Sequence, residues 1–230
     1  MESVNPSQNK QKSKKSQKMQ QASSNKSTGE EKKLKERTHH KTEVFRKFLS
    51  SLEKLEDSNR GMYAVLKRAS GTILGDSIPA MSAFYKILPY SEQNSRLEPI
   101  YYLIATLFPI QPLSGTGNFG KSMALTKKQF GEPDSIDHRF QNLLESSLDS
   151  SSFDPKYGDL DSFREFSYRL RQCVSLVASK QVGISWYNLL TDLYFWSRDL
   201  DNSRRVQKEW ARAYYGASRD SSSESKDETN

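Results

Sequence analysis

An all-α fold is what this 230-residue sequence predicts, on three observations. Large apolar residues recur every three and four positions across residues 42 to 216, the spacing of one helix face. No segment alternates apolar and polar residues for long, as a half-buried strand would. β-Branched residues are sparse in the candidate elements. The pattern divides into a helical bundle of two lobes, 42 to 130 and 131 to 216, meeting near residues 128 to 135.

Taken in order, Phe45, Phe48, Leu49, Leu52 and Leu55 form the stripe of a first helix. A second runs from Arg60 through Ala69, where Gly71 and Gly75 break it. Pro79 is placed to open a third helix, which ends before Pro89. Ile100 to Phe108 is apolar nearly all round and reads as the central buried helix of the first lobe, stopped by Pro109 and Pro112. A glycine loop, Gly115 to Gly120, leads into another short helix, and Ile136 to Leu144 forms the next. A long helix follows with the stripe Phe163, Phe166, Leu170, Cys173, Val174 and Val177. The last two carry Trp186, Leu189, Leu190, Leu193 and Trp196, then Val206, Trp210, Ala213 and Tyr214.

Charge is unevenly spread. Residues 1 to 41 hold 11 basic and 4 acidic side chains, a surplus of seven that equals the formal net charge of the whole chain; the other 24 basic and 24 acidic residues cancel. This tail is rich in Lys, Gln, Ser and Asn and nearly free of apolar residues, so it reads as disordered. So does the Ser/Asp/Glu-rich end, 217 to 230. The tail lacks the apolar core of a secretory signal and fits a transit peptide poorly. No run approaches a membrane span. A single cysteine, Cys173, on a helix stripe, excludes a disulfide framework and points to a reducing compartment, the cytoplasm.

Catalytic groups do not assemble. His39 and His40 lie at the edge of the basic tail and His138 stands alone, so no metal site or cofactor is expected, and no serine has a histidine and an acid arranged around it. One stretch names a rival chemistry: Gly115 to Ser122, GTGNFGKS, matches the phosphate-loop pattern G-x-x-x-x-G-K-[ST]. That loop needs a strand before it and a parallel sheet around it. Here two prolines and a gap separate it from residues 100 to 108, and Leu189-Leu190-Thr191-Asp192, the nearest candidate for the second acid, sits in a helix. Otherwise the glycines make a turn and start a helix, with Lys121 a point charge beside N–H groups that can face a phosphate.

What remains is a binding surface. Lys67 and Arg68 end the second helix; Arg164 and Arg171 lie two turns apart on one flank of the long helix and Arg169 on the other, with Lys180 just beyond its end. Arg204, Arg205, Lys208 and Arg212 point away from the stripe of the last helix. A groove made from such clusters would hold a nucleic-acid backbone by its phosphates, with strong salt dependence. Tyr168 and Tyr215 are candidates to stack on bases or to pack.

An apolar helix with tryptophan at each end, a polar break and then Val206-Gln207-x-x-Trp210-Ala211-Arg212-x-Tyr214-Tyr215 resembles the C-terminal signature of the CasB family, small subunits of the type I-E CRISPR surveillance complex, Cascade. The likeness extends through Tyr168 to Arg171, Ile136 to Phe140 with Leu143-Leu144, Gly117 to Gly120, and Leu66 to Ala69 with Pro79 and Phe84-Tyr85, covering about residues 43 to 216. It implies a non-catalytic subunit, present in two copies, that touches other Cascade proteins and holds guide RNA, target DNA and the displaced strand. By position it places the family's basic residues on Lys67, Arg68, Lys121, Arg139 and Arg171, and on Arg204 or Arg205. The long basic tail and the serine-rich stretch from Ser146 to Asp159 depart from the family pattern. Two rivals stay open: a small phosphate-loop nucleotide hydrolase, and a free-standing single-strand binder whose tail supplies the affinity.

Overall fold

The computed structural model describes residues 41–131, 133–148 and 160–223, with side chains as far as residue 216. The basic tail, most of the serine-rich stretch and the last seven residues lie outside the described residues. The chain separates into two units, Met1–Val44 and Phe45–Asn230. Of the first, only residues 41–44 are described, and they are helical. Apart from Val44, the buried apolar residues belong to the second.

The described residues form nine helices: α1 (residues 41–58), α2 (Arg60–Arg68), α3 (Ile78–Tyr85), α4 (Glu98–Leu107), α5 (Phe119–Gln129), α6 (Asp134–Glu145), α7 (Leu160–Ser179), α8 (Trp186–Trp196) and α9 (Leu200–Ser223). Among the described residues there is no strand; the nearest thing to one is an isolated bridge between Ser114 and Ile184. The expected all-α class is what the chain adopts. Several helix starts are written locally: the Asn59 side chain accepts from Met62 N–H at 3.0 Å, Ser77 caps α3 with Pro79 in its first turn, and Asn118 caps α5. The last helix runs past the expected end at 216 to Ser223, since nothing after Gly216 breaks it.

Burial follows the stripes. Phe45, Phe48, Leu49, Leu52 and Leu55 of α1 are all buried, and every residue of α4 from Ile100 to Leu107 is buried, as a helix apolar nearly all round requires. Helices from either side of residues 128 to 135 pack on each other: α4 meets α8 and α7, and α5 meets α9. A run of rings ties these helices together, Phe119 to Trp210 at 5.3 Å, Trp210 to Trp196 at 5.2 Å and Trp196 to Phe166 at 5.4 Å between centroids.

Two polar links cross the same core. Lys127 of α5 reaches Asp137 of α6 at 2.8 Å, and the Tyr214 hydroxyl of α9 donates to the other carboxylate oxygen at 2.6 Å. Burial by itself raises the Asp137 carboxyl, but these two hydrogen bonds outweigh it and hold it below the usual carboxylate range. Asp192 of α8 accepts the Trp210 indole N–H at 2.7 Å, and there burial wins, against that hydrogen bond, pushing its carboxyl up to about 6.

A carboxyl whose folded pKa is raised keeps its proton longer in the folded state, so stability falls as pH climbs from the ordinary 3.8 to about 6 and stays reduced above that. Asp192→Asn keeps an oxygen for Trp210 and removes the charge. It is expected to raise stability at neutral pH by at most about 3 kcal/mol. Urea midpoints measured across this range should show the gain shrinking toward about pH 4; a gain independent of pH would mean that the charge of Asp192 is not its source.

Candidate nucleic-acid interface

Residues Arg171, Ser175 and Ser179 are four apart on α7 and so share one face of it, with Gln172 and Leu176 beside them. Together with Arg139 of α6 they line a groove of about 290 Å³. Its lining is two guanidinium groups, two hydroxyls, an amide and one leucine, with no carboxylate. Two like charges facing one groove repel each other, and an anion between them relieves the repulsion.

The turn after α2 touches Arg171. Arg171 donates from Nε to the Ser70 hydroxyl at 3.2 Å, and Ser70 follows closely in sequence on the exposed Lys67 and Arg68 in the last turn of α2. Lys180, just past Ser179, lies over the Phe130 ring at 4.0 Å. Among the described residues no carboxylate takes Lys67, Arg68, Arg139 or Arg171.

The phosphate-loop match has a different use here. Upstream of it Glu98–Leu107 is helix, not strand. The Asn118 side chain and carbonyl both accept from Lys121 N–H, so the α5 N-terminus caps itself. Ser122, which would hold a metal ion in a nucleotide site, is buried and donates to the Gly183 carbonyl at 2.9 Å. Gly120 is where α5 touches α9: a Cβ there would stand 2.1 Å from the Trp210 carbonyl oxygen. The motif is a helix start and a helix contact; the nucleotide-hydrolase reading is not supported.

On α9, Arg204, Lys208 and Arg212 are four apart on one exposed stripe with no carboxylate partner among the described residues.

A family model described as CRISPR-associated protein Cse2 matches residues 62–215. The chain belongs to the Cse2 family. The CRISPR-associated protein Cse2 of Thermus thermophilus is 31% identical over 144 residues, 59% of this chain and 71% of the relative. A crystal structure of a Cse2-family protein from Thermus thermophilus is similar at TM-score 0.57 and 26% identity, covering 75% of this chain and 97% of that one. A Thermus thermophilus structure named CasB is similar at TM-score 0.55 and 26% identity, over the same shares of the two chains, so the resemblance to CasB is met. A chain of a structure named CRISPR RNA-guided surveillance complex has the same fold, with TM-score 0.62 at 21% identity over 80% of this chain and 99% of that one.

In this Cse2 chain the basic residues picked from sequence take different places. Arg139 and Arg171 line the groove, Lys67 and Arg68 end the helix just before the turn that touches Arg171, and Lys180 follows Ser179 of the lining in sequence. Arg204, Lys208 and Arg212 form a separate stripe, and Lys121 stands at the α5 start, 3.4 Å from the Thr116 hydroxyl. Three others are held by internal partners. Arg164 makes a two-pronged pair with Asp76, at 2.7 and 3.2 Å. Burial alone would raise that carboxyl, but the hydrogen bonds from Arg164 and Ile73 N–H keep it low. Arg169 pairs with Glu165 at 2.5 Å and donates to the Asn142 carbonyl, tying α7 to α6. Arg205 pairs with Glu209 at 3.3 Å and lies over the Phe195 ring.

Tyr215 packs edge-on against Tyr214 and accepts from Gln141, while Tyr168 is 53% exposed. Sequence reasoning passed over Gln172, Ser175 and Ser179, although Ser175 and Ser179 stand at four-residue steps from Arg171 in the sequence.

Proposed function

We propose that this chain is the non-catalytic small subunit of a type I-E CRISPR surveillance complex, Cascade, acting in the cytoplasm. It holds nucleic-acid backbone at the α6–α7 groove while base pairing between guide RNA and target DNA reads the sequence. Its partners are guide RNA, target and displaced DNA strands, the other Cascade proteins and a second copy of itself. The observation that carries this reading is the groove itself: Arg139 and Arg171 face one cleft with hydroxyl and amide donors and no carboxylate, in a Cse2-family fold. The likeness to a chain of a guided surveillance complex supports it.

The thiol of Cys173 is buried and pushed up to about 12 by that burial, out of reach of any nucleophilic use. Among the described residues no three of His, Cys, Asp and Glu gather to hold a metal ion. No helix of the described residues is long and apolar enough to cross a membrane.

The test is co-expression with a guide RNA and the other subunits of such a complex, followed by affinity purification on one of them. The chain is expected to co-purify with the RNA, and to do so equally well without residues 1 to 41. Loss of nearly all binding on removing the tail would instead favour the free-standing single-strand binder.

A further inference from the structure

The turn that comes after α2 presses directly on the best-placed arginine of the groove. Gly71 has φ +80°, and a Cβ built on it would stand 2.4 Å from Cδ of Arg171, 3.3 Å from its Cβ and 3.4 Å from its Cγ. The whole aliphatic stem of Arg171 therefore lies across the bare Cα of Gly71. One residue earlier the Ser70 hydroxyl accepts from Arg171 Nε at 3.2 Å, leaving the two terminal nitrogens of the guanidinium for the groove. A flexible arginine gives up much rotamer freedom when it grips an anion; a side chain already held at stem and Nε has given that up beforehand.

We infer that Gly71 and Ser70 are positioning residues for nucleic-acid binding, acting through Arg171, which they seat so that its guanidinium faces Arg139 across the groove. This rests on reading that groove as a phosphate site. The glycine meets two demands: it adopts a left-handed backbone that other residues resist, and it leaves the space that the arginine stem occupies. A methyl group at this point has nowhere to go unless Arg171 leaves its seat, and as the far part of a long surface side chain it can leave without disturbing the core.

The test uses the full chain and a fluorescent single-stranded DNA, with anisotropy read over a series of KCl concentrations. Arg171→Ala is expected to weaken binding roughly tenfold and to lower the salt slope by about one. Gly71→Ala should weaken binding by a similar factor, and the double variant should bind no more weakly than Arg171→Ala alone. Gly131→Ala is the strain control: its φ is +75° and nothing lies within 4 Å of its would-be Cβ, so it should bind as the parent does. Ser70→Ala carries no backbone strain and is expected to lose about threefold, restored by Ser70→Thr, which keeps the hydroxyl; this arm decides the matter if Gly71→Ala does not fold.

A weakened Arg171→Ala beside unaffected Gly71→Ala and Ser70→Ala would overturn the inference and leave the groove standing. So would losses that multiply in the double variant. Parent-like binding by Arg171→Ala would overturn the groove reading itself.

Discussion

Replacing Lys67, Arg68, Arg139 and Arg171 together by glutamate is expected to abolish binding of single-stranded DNA near physiological salt, a loss of at least about a thousandfold. Each phosphate contact removed also removes a released counterion, so the salt dependence should flatten by about three in the slope of log affinity against log salt. Reversing the charge, rather than deleting it, places four carboxylates where the backbone of the nucleic acid would lie, and the effect exceeds four single losses. The fold should survive. All four side chains are exposed, and the one protein hydrogen bond given up among those described is Arg171 to Ser70. Thermal unfolding is the control, since exposed substitutions of this kind shift stability by roughly half a kcal/mol each. Retained binding in the quadruple variant, together with its loss on reversing Arg204, Lys208 and Arg212, would move the interface to α9.

Much of this architecture is legible in the sequence because the apolar spacing is so regular. The stripes of α1, α7 and α8 lie at the positions where burial is found, and the mostly apolar run from Ile100 to Leu107 is the buried part of α4. What spacing does not carry is partnership across elements. Arg164 looks as free as Arg171 from its own helix, yet Asp76, far away in sequence, holds it with two hydrogen bonds. Arg169 is likewise taken by a carbonyl on α6.

The glycine loop misleads for a related reason. A match to G-x-x-x-x-G-K-[ST] records where side chains are absent, and absence serves phosphate binding and helix contact alike. Only the surroundings decide between them, and here these are the Gly183 carbonyl for Ser122 and the Trp210 carbonyl for Gly120. Gly71 is the reverse case: in the sequence it is an ordinary helix breaker, and its bearing on Arg171 comes from a contact one hundred residues along the chain.

Gly120→Ala is expected to be the most destabilising single methyl that can be added to this chain's α5–α9 contact, at about 3 kcal/mol or more. Two effects oppose each other. Alanine is the better helix former and on an open helix would stabilise by about 1 kcal/mol. Against that, the new Cβ would stand 2.1 Å from the Trp210 carbonyl oxygen and 2.9 Å from its Cα, atoms of a helix backbone that cannot rotate aside as a side chain does. The steric term wins because relief requires moving α9 as a body. That motion would loosen the rings of Phe119 and Trp196 from Trp210 and stretch the Trp210 bond to Asp192. Urea unfolding followed by tryptophan fluorescence reads the loss directly, since Trp210 sits at the contact and the Trp196 ring packs on it. A variant as stable as the parent would mean that α5 and α9 do not approach this closely, and with that the reason for glycine in the motif would have to be sought again in a bound phosphate.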